Sequence, residues 1–231
     1  AFTVHDSALY AGGQFGRAGN VAASGIARWD GTQWTALGNG IAAGGSVSAL
    51  ASFAGTLVAA GDFEVQQDAT TIRRLARWDG RTYSRVGSSG VDTVEAPVRA
   101  LLATPYLLHA GGEFTQIDGL ATRHVARWNT RQWQALDRLP STGIVGYTQA
   151  LALTENALYV GGQFSVAGGV PARSIARWNG SSWAPLRAPG GEGTNSLVTA
   201  IAVAGTDVYV GGYFSEVAGL AAKHIARWDG S

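Results

Sequence analysis

Residues 158–183 read LYVGGQFSVAGGVPARSIARWNGSSW, and the elements of this stretch recur along the whole chain. A Gly-Gly-x-Phe element, in one copy Ala-Gly-x-Phe, ends at phenylalanines spaced by 48, 51, 50 and 50 residues: Phe15, Phe63, Phe114, Phe164 and Phe214. An Ala-Arg-Trp triplet follows each of them, ending at Trp29, Trp78, Trp128, Trp178 and Trp228. The chain is therefore an array of five repeats of about 50 residues, with approximate bounds 1–48, 49–99, 100–149, 150–199 and 200–231.

Each repeat contains four short apolar or aromatic runs that predict β-strands, the fourth carrying a second aromatic five residues after the Trp: Trp34, Tyr83, Trp133 and Trp183. Large apolar groups fall on both faces of the third and fourth strands, so both faces must be covered by neighbours. A blade between two other blades meets this requirement. We therefore predict an all-β fold, a single β-propeller domain of five four-stranded blades spanning residues 1–231. The last blade lacks its outer strand. We expect five blades that close into a ring by packing alone; the alternative is that the parent chain continues, in which case the five repeats could be part of a larger ring.

The third and fourth strands are joined at dipeptides such as Asp30-Gly31 and Asn179-Gly180. Asp-Gly and Asn-Gly favour two-residue hairpin turns, because both central positions need positive φ. With Asp30 and Gly31 as the loop, Trp29 is predicted to pair with Thr32, and Trp34 to lie diagonally from Trp29 on the same face.

Composition excludes several classes of function. The chain has 17 Lys plus Arg, 16 Asp plus Glu and a formal net charge of +1, so no strong field favours nucleic acid. It has no cysteine, which rules out disulfides, thiolate metal sites and a cysteine nucleophile. No apolar run reaches the length of about 18 residues that crosses a bilayer, so we expect no direct membrane insertion.

The glycine pair after a strand, followed by two aromatics flanking a turn, resembles the kelch repeat. The Gly-Gly-x-Phe and Ala-Arg-Trp-Asp-Gly elements are more similar to the propeller repeats of fungal cortical polarity markers (the Rax2-like group) and of bacterial surface proteins. The resemblance covers all five repeats. It implies a propeller fold and a cell-surface or extracellular setting, but kelch-like propellers serve as scaffolds, lectins and oxidases alike. The copper oxidases of this fold use a tyrosine cross-linked to cysteine, and this chain has no cysteine.

Alternation of strand direction assigns the loops to two ends of the blades. The second-to-third and fourth-to-first connections emerge at one end, here called the long-loop end; the opposite, short-turn end has only tight turns. The long loops are predicted at 16–24, 64–72, 115–122, 165–172 and 215–222, and at 38–47, 87–97, 137–147 and 187–197. Because functional variation sits on loops held by a rigid scaffold, the long-loop end is the candidate binding surface.

Cationic residues precede the Ala-Arg-Trp triplets at this end. We predict a ligand-binding rim formed by Arg73, Arg74, Arg123, His124, Arg173, Lys223 and His224, with Ser24 in the first repeat. Such a rim suits an acidic partner or a glycan that carries carboxylate or sulfate groups. The alternative is that the rim only serves solubility.

Other candidate residues are assigned to structure. The repeated arginines lie within packed strands, so their guanidinium groups are expected to meet a carbonyl, a carboxylate or a ring face: Arg28, Arg77, Arg127, Arg177 and Arg227. The four histidines show no metal-ligand spacing, and no Ser-His-Asp order or carboxylate pair recurs. We therefore expect no catalytic residue, no metal and no cofactor.

The sequence thus favours a non-catalytic interaction or structural module, on a cell surface or in an extracellular assembly, that binds a protein or a glycan through its long-loop end. The alternative is a lectin-like propeller with repeated sites between blades. We expect no nucleic-acid partner. The unpaired edge of the strand Ile225–Trp228 is a further place where another chain could pair.

Overall fold

The computed structural model describes residues 1–42, 44–88, 94–136 and 143–230. The predicted loops 38–47, 87–97 and 137–147 lie partly outside these ranges, and so does Ser231. The described residues form strands and turns without a helix, so this part of the chain has no helix long and apolar enough to cross a membrane.

The strands follow one another in the order that the repeats predict. The first repeat contains β1 (Phe2–His5), β2 (Ala8–Gly12), β3 (Arg17–Ala18), β4 (Val21–Ala22), β5 (Ile26–Trp29) and β6 (Trp34–Ala36). The second contains β7 (Ser46–Phe53), β8 (Thr56–Gln67), β9 (Thr70–Trp78) and β10 (Tyr83–Arg85). The third contains β11 (Val98–Ala103), β12 (Leu108–Gly112), β13 (Gln116–Ile117), β14 (Leu120–Ala121), β15 (Val125–Trp128) and β16 (Trp133–Ala135).

The last two repeats continue the same order. The fourth contains β17 (Ile144–Leu153), β18 (Leu158–Ala167), β19 (Val170–Pro171), β20 (Ile175–Trp178) and β21 (Trp183–Pro185), followed by β22 (Arg187–Ala188) and β23 (Gly191–Glu192). The fifth contains β24 (Val198–Ala204), β25 (Asp207–Gly212), β26 (Glu216–Val217), β27 (Leu220–Ala221) and β28 (Ile225–Trp228).

Each repeat forms one antiparallel sheet. The orders are β1-β2-β5-β6, β7-β8-β9-β10, β11-β12-β15-β16, β17-β18-β20-β21 with β19 beside β18, and β24-β25-β28. Short two-stranded hairpins, β3-β4, β13-β14, β22-β23 and β26-β27, project from the loops. The predicted β-propeller fold is confirmed: the described residues are all-β, the five sheets are the blades, and the described part of the fifth has three strands.

Contacts within the chain define two compact units. The first comprises residues 1–110, 116–120 and 128–134, and the second comprises 111–115, 121–127 and 135–231. In the first unit, Ile26, Leu57 and Ile72 are fully buried members of one apolar core. In the second unit, Ile175, Val198 and Phe214 are buried in another. The prediction that residues 1–231 form a single domain stays a prediction.

The first glycine of the pair lets neighbouring blades approach closely at Gly12, Gly111 and Gly161. A Cβ atom on Gly12 would lie 2.5 Å from Val47 Cγ1, and one on Gly161 would lie 2.5 Å from Val198 Cγ1. Both distances are shorter than real contacts, so a side chain there would push the blades apart. This explains why the glycine occurs where the second strand faces the next blade.

The predicted register of the third-to-fourth turn is wrong by two residues. Trp29 pairs directly with Trp34, and Ala27 with Ala36. The amide of Asp30 donates to the carbonyl of Gln33 (3.2 Å), which places Gly31 and Thr32 at the centre of the turn. The reason is the Asp30 carboxylate, which accepts hydrogen bonds from the amides of Thr32 (2.8 Å) and Gln33 (2.9 Å). The two Trp rings are still on one face, with centroids 5.4 Å apart.

Candidate binding surface at the long-loop end

Backbone hydrogen bonds join the two sets of long loops. In the first unit, the amide of Ile41 donates to the carbonyl of Ser24 (2.9 Å). In the second unit, the amide of Ile144 donates to Arg123 (3.2 Å) and that of Thr194 to Arg173 (3.0 Å). In the first, third and fourth repeats, the residue at this position therefore anchors the following long loop through its carbonyl group, whatever its side chain.

The second residue of each pair has a left-handed backbone. The φ angle is 63° at Arg74, 66° at His124, 60° at Ser174 and 67° at His224, and Gly25 has 68°. The His124 amide donates to Phe114 (2.8 Å), and the His124 carbonyl accepts from Gly112 (3.0 Å). A non-glycine residue in this conformation costs roughly 1–2 kcal/mol. The side chains of Arg74, His124 and His224 are thus held where glycine would fit the backbone better.

In the second repeat, the two predicted cations are paired within their own blade. Arg73 Nε donates to Glu64 Oε1 at 2.8 Å across the β8-β9 ladder. Arg74 Nε lies 3.6 Å from Asp62 Oδ1, and its Nη1 donates to the Val94 carbonyl at 2.8 Å. These partners reduce the charge available to a ligand in this repeat.

The last three repeats present their cations differently. Arg123, Arg173 and Lys223 are exposed at equivalent positions, and in the described part of the chain no side-chain hydrogen bond or ion pair engages them. His124 is half-buried. His224 is exposed, and its Nδ1 lies 3.1 Å from the Gly212 carbonyl, to which it donates in the matching tautomer. Three open cations therefore line this end of the second unit.

A cavity of about 330 Å³ opens beside Arg173 at this end. Its walls are the glycine-rich turn 190–193, Thr194, Asn195 and Glu216. Glu192 also lines it, but that carboxylate lies 3.1 Å from Arg187. Asn195 Oδ1 accepts from the amides of Ser215 (3.0 Å) and Glu216 (3.1 Å), which fixes the two loops to each other.

A larger groove lies at the short-turn end of the second unit. It encloses about 750 Å³ between the fourth and fifth blades, with Tyr159, Arg177 and Trp228 on its floor and the turn residues Glu155 and Asn156 at its rim. The Tyr159 and Trp228 rings meet edge to face at 6.2 Å. Sequence reasoning assigned only tight turns to this end and missed the groove.

Among the described residues, no group of three or more His, Cys, Asp or Glu side chains is placed to hold a metal ion.

No protein-family model and no curated protein matches the chain. Among solved structures, it is similar to the computationally designed Ika4 protein, at 20% identity and a TM-score of 0.47 over 81% of this chain and 92% of that one. The resemblance to kelch and Rax2-like repeats therefore stays a prediction.

Proposed function

We propose that the chain is a non-catalytic interaction module of a cell-surface or extracellular protein, and that it binds an acidic protein segment through the long-loop end. The observation that carries the proposal is the exposure of Arg123, Arg173 and Lys223 at one repeated backbone position. A constant frame with varied side chains is the usual design of a binding scaffold. Open cations near a surface attract an acidic partner and speed its association.

The test uses a labelled polyglutamate peptide as the probe. The double variant Arg123→Glu, Arg173→Glu is expected to bind it at least about fivefold more weakly, with a smaller dependence on salt. The matched control is Arg81→Glu, Arg131→Glu, which makes the same change in charge on exposed turn residues of the short-turn end. An equal loss in both variants would show a response to net charge alone and would refute the proposal.

A lectin is the second candidate, favoured by the groove at the short-turn end. Exposed polar groups on turns beside a half-buried indole suit the stacking and hydrogen bonding of a sugar ring. A glycan array is the direct test. Binding that is abolished by Glu155→Ala, Asn156→Ala and unaffected by Arg123→Glu, Arg173→Glu would favour the lectin over the first proposal.

A further inference from the structure

The cavity of about 330 Å³ at the long-loop end, here called the Arg173 cavity, lies between two loops of the second unit. Its walls come from residues 190–195, which lead from the fourth blade to the fifth, and from residues 216–219 of the hairpin β26-β27. Backbone atoms close these walls, since a Cβ atom on Gly190 would overlap the Ala218 carbonyl oxygen. The shape of the cavity is therefore set mainly by the backbone.

Two consecutive amides of the first loop hold two charged residues at the cavity. The amide of Thr194 donates to the Arg173 carbonyl (3.0 Å), and that of Asn195 donates to the Glu216 carbonyl (3.2 Å). The Glu216 amide donates in turn to Asn195 Oδ1 (3.1 Å). The backbones of Arg173 and Glu216 are thus fixed to neighbouring residues of one loop, and both residues line the cavity.

The side chains of Arg173 and Glu216 are both open to a ligand. Each is exposed, and within the described ranges neither makes a side-chain hydrogen bond or an ion pair, with the other or with a third residue. Glu192 also lines the cavity, but Arg187 neutralises it at 3.1 Å. The Arg173 cavity therefore offers one cation and one anion that are not already paired.

The second repeat shows that the open glutamate is a property of the fifth repeat and not of the scaffold. The Glu64 carbonyl accepts from the amide of Ala42 in the preceding loop (2.7 Å), as the Glu216 carbonyl accepts from its own preceding loop. Across the β8-β9 ladder, however, Arg73 stands opposite Glu64 and pairs with it at 2.8 Å. Ala221 stands opposite Glu216 in the β26-β27 hairpin, so no cation neutralises this carboxylate.

We propose that the Arg173 cavity binds a small zwitterion, in which a short chain joins an ammonium group to a carboxylate. The guanidinium fork of Arg173 binds the two carboxylate oxygens, and the Glu216 carboxylate binds the ammonium group, both through charge-assisted hydrogen bonds. Gly190 and Gly219 line the same cavity, and no backbone hydrogen bond of the described turns and loops uses their amides, so these are free to donate.

Size and charge together select this class of ligand. A volume of about 330 Å³ lies at the lower end of the range for ligand pockets, roughly 300–1,000 Å³, and suits a molecule of amino-acid size. A simple anion or a simple cation would satisfy only one of the two open charges. The site goes beyond the proposed binding of an acidic segment, which uses Arg173 and has no need of Glu216.

The probes are zwitterions of increasing chain length: free glycine, β-alanine, γ-aminobutyrate and δ-aminovalerate. Titration calorimetry with the whole chain is expected to give a Kd of about 1 mM or tighter for at least one of them. Acetate and methylammonium, which each carry one of the two charges, are expected to bind at least about tenfold more weakly at the same ionic strength. The chain length that binds best measures the separation of the two charges in the site.

Neutral variants test the two residues separately. Arg173→Gln and Glu216→Gln should each weaken binding of the best zwitterion at least about tenfold. The controls Arg131→Gln and Asp68→Asn remove the same charges from exposed turns and should leave binding unchanged. All four positions are exposed, so thermal unfolding should be nearly the same in every variant.

The outcomes separate this site from the proposed function. Glu216→Gln removes a negative charge, so it should leave binding of the polyglutamate peptide intact while it weakens binding of the zwitterion. Binding of polyglutamate but of no zwitterion would overturn the zwitterion site and keep the proposed function, and the reverse result would do the opposite. Equal binding of the zwitterions and of acetate, or an equal loss in the control variants, would also overturn the zwitterion site.

Discussion

The guanidinium carbon of Arg127 lies 5.2 Å from the centroid of the Trp178 ring, one repeat further along the chain. Arg177 and Trp228 repeat this geometry at 5.7 Å. In the third and fourth repeats, the arginine of the Ala-Arg-Trp triplet therefore contacts the Trp of the next blade. The sequence-based prediction that its guanidinium meets a ring or a carboxylate is confirmed for Arg127, Arg177 and Arg227.

Removing the charge at Arg127 should weaken the contact between the third-repeat strand and the fourth blade. Because Arg127 is half-buried, Arg127→Gln is expected to lower the free energy of unfolding by about 0.5–1 kcal/mol. Arg127→Lys should retain part of the stabilisation that Arg127→Gln removes, since an ammonium group is also attracted to the ring. Urea unfolding monitored by tryptophan fluorescence measures the free energy of unfolding of both variants. Equal stability of the Gln and Lys variants would mean that the stem, and not the charge, matters.

Replacing the strand-three Trp should cost more stability in a complete blade than in the fifth blade. Trp128 is 7% exposed and stacks against Trp133 at 5.6 Å, so Trp128→Ala should cost about 3–5 kcal/mol. Trp228 is half-buried, and among the described residues no strand-four aromatic packs on it, so Trp228→Ala should cost less than about 3 kcal/mol. Chemical denaturation of both variants tests the order. A loss below about 1 kcal/mol for Trp128→Ala would contradict the burial of this ring.

The number of repeats and the strand order were predictable because glycine and aromatic positions recur at a nearly fixed period. The register of the turn was not, since the Asp30 side chain competes for the amides of Thr32 and Gln33. The pairing of Arg73 and Arg74 with carboxylates was also missed. Their partners Asp62 and Glu64 lie within and just after a register shift between β8 and β9, and a repeat alignment does not show such a shift.

The Tyr83 hydroxyl should ionise only at a pH well above the ordinary range of tyrosine. It is buried and donates to the Leu37 carbonyl, and burial raises its pKa far above the ordinary value. A raised phenol pKa means that the folded state favours the protonated form, so this contribution to stability is present below about pH 10 and is lost as the pH rises towards the folded value. Ultraviolet titration should show that Tyr83→Phe removes one tyrosine that ionises only on alkaline unfolding. The loss in stability should be about 1–3 kcal/mol, since the carbonyl is left without its donor.

Acid should weaken the turns that begin with aspartate. Hydrogen bonds from the amide of Gln33 and the side chain of Thr32 lower the pKa of Asp30 to about 2, and amides of Thr82 and Arg81 lower that of Asp79. A lowered carboxyl pKa means that the stabilisation is present above about pH 4 and is lost as the pH falls through about 2. Asn129 and Asn179 accept the equivalent hydrogen bonds without a charge.

The control follows from that comparison. Asp30→Asn should keep the turn and lose its dependence on pH, whereas Asp30→Ala should lower the melting temperature at every pH. Thermal unfolding between about pH 5 and about pH 1.5 distinguishes them. If Asp30→Asn kept the full acid sensitivity of the wild type at this turn, other carboxylates would be responsible.

The first and last strands should exchange their amide protons fastest. In β1, Phe2 is 72% exposed and Val4 is 64% exposed. Both side chains lie on the face of the first strand that, in the later blades, packs on the preceding blade. In β28, Ile225 is 68% exposed, whereas the equivalent Ile26 and Ile175 are buried.

Protection from exchange depends on buried apolar contacts around the hydrogen-bonded strand. Amides 1–5 and 223–228 should therefore show the least protection, and those of β8 and β18, whose apolar residues are buried on both faces, the most. Hydrogen exchange followed by mass spectrometry at peptide resolution makes the measurement. Equal protection of the first, middle and last strands would mean that both outer faces are covered in solution.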